Sequence, residues 1–160
     1  MVISITKIQA GDTYNIIPDS VKMNGTVRTF LKDTQSNTLE NMDRIANGIC
    51  KSFGATYELN FFYGYPATVN SINESTISSN AVVELFGEEK LISNPKPSMG
   101  SEDFSYMLQK KPGCYVWLGI GTSKNDDGCM LHSSNYDFND DVLPIGAGYW
   151  VKLVENTLNF

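Results

Sequence analysis

VKMNGTVRTF, residues 21–30, alternates apolar and polar side chains along its length. Val21, Met23, Gly25, Val27 and Thr29 fall on one face, and Lys22, Asn24, Thr26, Arg28 and Phe30 fall on the other. A period of two with one apolar face marks a strand of a sheet covered on one side. Upstream, residues 2–9 are rich in Ile and read as a first strand. Downstream the period changes: Leu39, Met42, Ile45, Ala46, Ile49 and Phe53 recur at helical spacing. Thr34 or Ser36 is the expected cap of that helix, and Gly54 its stop. TYELNFFYGYP (56–66) then reads as an aromatic third strand ended by Pro66. The order strand, strand, helix, strand is contained in a split β-α-β-β-α-β, or ferredoxin-like, unit with an antiparallel sheet, once an opening strand and helix are added.

After Asn70 the texture shifts. Residues 72–87 read as a helix ending at Gly87, PKPSMG (95–100) as a rigid loop, and SEDFSYMLQ (101–109) as a short helix capped by Ser101. CYVWLGIG (114–121) is continuously apolar and reads as a buried strand, followed by the polar loop TSKNDDG. Val142, Ile145, Gly146, Tyr149, Trp150, Leu153 and Val154 mark a closing amphipathic helix. The expected class is α/β (α+β), in two parts, residues 1–70 and 71–160.

Composition narrows the function classes. Hydrophobic residues make up 41% and aromatics 11% of the 160 residues, enough to build a core. Twelve basic against eighteen acidic residues give a net charge of -6, with no basic stripe, so nucleic-acid binding is disfavoured. No apolar run approaches the ~18 residues of a membrane-spanning helix, so no membrane partner is expected. The opening MVISITKIQAG lacks a basic n-region and an apolar core and does not read as a signal peptide. Cys50, Cys114 and Cys129 are odd in number and show no CxxC spacing, which points to a reduced, cytoplasmic setting.

Four places hold polar residues suited to chemistry. In GDTYNIIPD (11–19), Asn15 either hydrogen-bonds its own turn or faces a ligand. Arg28, on the polar strand face, is a solvated charge or an anion ligand. In MGSED (99–103), Gly100 and Ser101 form either a capping box or a nest of N–H groups for an anion. His132, the one histidine, sits in LHSSNYDFNDD (131–141), as an ordinary loop residue or as a member of a site whose other groups lie elsewhere.

Together and in this order, NIIPDSVKMNGTVRTF, YPATVN, PSMGSEDFSYML, PGCYVWLGIG and LHSSNYDFND resemble the metal-dependent aminoacylase family. This is the branch of hippurate hydrolases, N-acyl-amino-acid and N-acetyl-diaminopimelate deacetylases and plant-type indole-acetyl-amino-acid hydrolases. The resemblance implies a partial ferredoxin-like lid and dimerisation domain at 1–70, followed by the C-terminal part of an α/β metallopeptidase catalytic domain at 71–160. It implies that Asn15 and Arg28 hold the substrate carboxylate, a task suited to a bidentate guanidinium. Gly100 and Ser101 then belong to the loop facing substrate, and His132 is a ligand of a dinuclear site for zinc or manganese. Asp137, Asn139 and Asp140 would orient its ring.

The family's other ligands and its general-base glutamate are implied to lie in an N-terminal half that this sequence does not match. A single imidazole cannot hold a hydrolytic zinc, which takes three protein ligands plus water. The expectation is a piece of an amidohydrolase for N-acyl amino acids or small peptides, silent alone and binding no metal tightly. A non-catalytic product keeping only oligomerisation and binding surfaces is the alternative. A homo-oligomer is expected in either case.

Overall fold

The computed structural model describes residues 1–121, 131 and 133–158. The chain divides into two compact units. One comprises Met1–Ala67 with Pro97–Asp103, the other Thr68–Lys96 with Phe104–Phe160. Its class is mixed α/β.

In the first unit, β1 (Val2–Gln9) and β2 (Lys22–Arg28) pair antiparallel, from Val2 opposite Arg28 to Gln9 opposite Lys22. The register steps between Ile5 and Lys7, so Thr6 is a bulged residue. The strands lie close at Gly25, where a Cβ would collide with the backbone carbonyl oxygen of Ser4. No flexible side-chain end is there to give way. Gly25→Ala is therefore expected to cost about 1–3 kcal/mol of the first unit's stability, the usual penalty for overfilling a packed position. Urea unfolding followed on that unit checks this; an unchanged midpoint would contradict it.

Helix α1 (Lys32–Ser52) starts earlier than its apolar spacing suggests, with Leu31 at the cap position and no side-chain cap bond. Thr34 and Ser36 are thus inside the helix rather than capping it. The Thr34 carbonyl instead accepts the hydroxyl of buried Thr38 at 2.6 Å. The end of α1 is as expected. Gly54 takes φ +66°, Ala55 N–H reaches the Cys50 carbonyl at 2.9 Å, and Gly54 N–H reaches Lys51 at 3.2 Å. These are the two bonds of a Schellman motif, which needs a left-handed residue where Gly54 stands.

The apolar stripe of α1 is only partly covered. Leu39, Met42 and Ala46 are half-buried, while Ile45 and Ile49 are exposed and Phe53 is 84% exposed. The β2 face is likewise open at Val21 and Met23, and half-buried only near Val27. A two-stranded ribbon and one helix offer too little surface to close over both.

Residues 56–66 form no ladder with either strand among the described residues, so the expected third strand is absent here. Aromatic alternation marks a pleated chain, but a strand exists only where a partner supplies hydrogen bonds. The segment is tethered instead by the Tyr57 hydroxyl, which donates to Asp43 Oδ1 at 2.8 Å. That bond, and then burial, raises the Tyr57 phenol above its ordinary pKa.

In the second unit, α2 (Ile72–Phe86) ends at Gly87, whose φ is +88°, and packs on α4 (Leu143–Leu158). Spacing explains the pairing. Ser78, Ala81 and Glu84 share one face of α2, and Tyr149, Lys152 and Asn156 share one face of α4. Ala81, Val142 and Tyr149 are buried, and the Ser78 and Tyr149 hydroxyls bond at 2.8 Å in that interior. Toward solvent, Lys152 pairs with Glu84 at 2.8 Å and Asn156 donates to the same carboxylate at 3.2 Å. The hydrogen bond from Lys152, followed by that from Asn156, holds the Glu84 carboxyl below its ordinary range.

The expected buried strand at 114–121 is neither a strand nor buried: Val116 and Leu118 are exposed and Trp117 is 67% exposed. No neighbouring strand is present to pair with it among the described residues. A side chain stands in for one. Asn70 Nδ2 donates to the Tyr115 carbonyl and Asn70 Oδ1 accepts from Tyr115 N–H, both at 2.8 Å. One residue further on, Ser71 N–H donates to the Gly113 carbonyl at 2.9 Å.

Candidate carboxylate-binding site

Arg28 closes β2, opposite Val2, and its side chain leaves the strand on the polar face that the alternation assigned to it. It is half-buried rather than freely solvated. Nη1 donates to the Met99 carbonyl at 2.8 Å and to Ser101 Oγ at 2.8 Å. Residues 97–103 belong to the same compact unit as β2, so these bonds tie the loop to the strand end within one body.

The loop is shaped by its own short contacts. Ser98 Oγ accepts the Gly100 N–H at 3.2 Å. That N–H is engaged by protein rather than turned outward. Helix α3 (Phe104–Leu108) begins three residues beyond Ser101. Ser101 therefore is not its cap, and its hydroxyl accepts from Arg28.

Both acceptors on Arg28 are neutral. Among the described residues the guanidinium forms no ion pair, and no bond to Nε or Nη2 accompanies those of Nη1. A half-buried cation without a counter-charge attracts an anion, and a carboxylate matches its planar fork.

The other expected site residues are placed as follows. Asn15 lies in the exposed turn between β1 and β2, in the same unit as Arg28, and its side chain bonds to no described residue. His132 and Cys129 lie outside the described residues. Asn139, expected to orient the histidine ring, is described by its own bonds alone, since that ring lies outside the described residues. It accepts the Asp141 N–H at 3.1 Å and donates to the Ile120 carbonyl at 3.0 Å, fixing the 3-10 turn Asp140–Val142. Met99 was not singled out in the sequence, because its contribution is a backbone carbonyl and any residue carries one.

The described residues contain no group of three or more His, Cys, Asp or Glu able to hold a metal ion. Cys50 and Cys114 are free thiols, and Cys114 Sγ accepts from Asn70 Nδ2 at 3.3 Å. No helix among the described residues is long and apolar enough to cross a membrane.

Comparison with known proteins gives a consistent result. The sequence matches the peptidase family M20/M25/M40 over residues 4–156. It is 39% identical over 149 residues to thermostable carboxypeptidase 2 of Saccharolobus solfataricus, covering 91% of this chain and 36% of the carboxypeptidase. It is 34% identical over 152 residues to hippurate hydrolase of Campylobacter jejuni, covering 95% and 38%. The crystal structure of the Bacillus subtilis YXEP protein, a dinuclear metal binding peptidase from the M20 family, matches with a TM-score of 0.80 at 32% identity. That match covers 99% of this chain and 42% of the YXEP chain. The chain thus spans 36% to 42% of the length of these three relatives. The match runs from the first strand to the last helix, and the chain belongs to peptidase family M20/M25/M40.

Proposed function

We propose that this chain supplies the carboxylate-holding part of a metal-dependent amidohydrolase that cleaves the amide of N-acyl amino acids or small peptides. The observation that carries this is Arg28, held at the end of β2 by the 97–103 loop with its charge unpaired among the described residues. The names of the hippurate hydrolase and the carboxypeptidase supply the substrate class, since hippurate and peptides both end in a carboxylate. In this reading Arg28 grips the carboxylate, Asn15 adds a hydrogen bond from the neighbouring turn, and Gly100 and Ser101 face the substrate. We assign residues 1–70 to the lid and dimerisation half and 71–160 to the catalytic half; the compact-unit boundary near residue 67 supports the split, with loop 97–103 grouped with the lid.

The ligands present do not make a dinuclear zinc or manganese site. One histidine is available in the whole chain, and the described acids and thiols form no cluster. His132 is therefore proposed as one ligand of a set completed from outside this chain, as is the general base, and the chain is silent by itself. The free thiols suit a reduced cytoplasm. The uncovered apolar faces suit a homo-oligomer.

The carboxylate role is tested by titrating the chain with N-acetylglycine and with N-acetylglycinamide, followed by NMR. The acid is expected to bind in the millimolar range and the amide about tenfold more weakly, since a charge-assisted pair contributes about 1.5–3 kcal/mol. Arg28→Ala should erase the difference. Equal affinity for acid and amide in the wild type would overturn the reading.

A further inference from the structure

The guanidinium of Arg28 carries five hydrogens, two on each Nη and one on Nε. Among the described residues its two hydrogen bonds both originate from Nη1 and run to two different acceptors, Met99 O and Ser101 Oγ, each at 2.8 Å. Both Nη1 hydrogens are thereby spoken for. A guanidinium offers a carboxylate two bidentate edges, the end-on Nη1–Nη2 edge and the side-on Nε–Nη2 edge. The first has lost its Nη1 hydrogens to the protein, and the second gives neither of its own to any described residue. Because the acceptors are a carbonyl and a hydroxyl, the protein fixes the plane of the group without neutralising it.

From this we infer that Ser101, acting with the Met99 carbonyl, is a positioning residue for Arg28. It anchors Nη1 so that the Nε–Nη2 edge alone meets a substrate carboxylate. The inference rests on the proposed carboxylate role of Arg28 and adds to it which edge binds and what aims it. Met99 cannot be altered for this purpose, because its contribution is backbone; the Ser101 hydroxyl can. Ser101 is exposed and lies in a loop outside any helix, so its replacement leaves the packing of the unit untouched.

The test uses the full chain with Ser101→Ala, Ser101→Thr and Arg28→Ala, and two readouts. The first is exchange with water of the Arg28 Nη1 hydrogens, seen by NMR of the guanidinium nitrogens. Wild type and Ser101→Thr should show slow exchange, and Ser101→Ala exchange about tenfold faster, since one of the two acceptors is gone. The second is the preference for N-acetylglycine over N-acetylglycinamide, which should fall about threefold to tenfold in Ser101→Ala and recover in Ser101→Thr.

The two claims fail separately. If Arg28→Ala keeps the preference, or the wild type has none, the carboxylate role is wrong, and the exchange readout alone decides the anchoring. If Arg28→Ala loses the preference while Ser101→Ala matches the wild type in both readouts, the positioning inference is wrong and the carboxylate role stands.

Discussion

Purified alone and given zinc or manganese, the chain is expected to leave hippurate and N-acetyl amino acids uncleaved. Hydrolytic zinc sites hold the ion with three protein ligands and keep a fourth position for water. Here one imidazole is available, and the described carboxylates and thiols are scattered. Metal hydrolases owe their rates to the ion and to a positioned base, so losing most of the ligand set removes essentially all of an acceleration of at least about a millionfold. The same shortage predicts that calorimetry finds no submicromolar zinc site. Turnover that needs metal, survives stringent purification and vanishes in His132→Ala would show that a complete site has been missed.

The second large effect concerns association. Soluble monomers rarely expose continuous apolar patches above a few hundred Å2. This chain leaves Ile45, Ile49 and Phe53 open along α1, and Ile3, Ile5, Val21 and Met23 open on the ribbon. Phe62, Tyr63 and Tyr65 add an extended segment without a ladder. In the second unit Trp117 and Trp150 are exposed as well. At micromolar concentration the chain is therefore expected to be dimeric or larger and to bind a dye that reports exposed apolar surface. Light scattering showing one monodisperse monomer, with a cooperative melt and no dye signal, would contradict this.

What the sequence made legible follows from how local each signal is. The ends of α1 and α2 were readable at Gly54 and Gly87 because a left-handed residue is a one-position requirement. The pairing of β1 and β2 was readable because their alternation lies close along the chain. The segments 56–66 and 114–121 were misread for the same physical reason. Apolar composition describes what a strand buries, whereas the ladder depends on a partner whose presence no local pattern records. At Tyr115 that partner turned out to be the side chain of Asn70.

The candidate site was half legible. Arg28 and Ser101 each looked ordinary, as a solvated charge and a helix cap. Only folding reveals that residues 73 positions apart share a hydrogen bond. Family resemblance singled both out as substrate-facing, but the bond between them carries no sequence signature, and neither does the Met99 carbonyl.

The most direct test of the account is reconstitution. The chain, wild type or Arg28→Ala, is mixed with the part of a family relative that the match leaves uncovered, metal is added, and hippurate hydrolysis is followed. Activity is expected with the wild type only when both parts are present, and kcat/KM is expected to fall at least about tenfold in Arg28→Ala, the cost of one charge-assisted contact. Equal kcat/KM for wild type and Arg28→Ala in an active mixture would contradict the assignment of the carboxylate to Arg28.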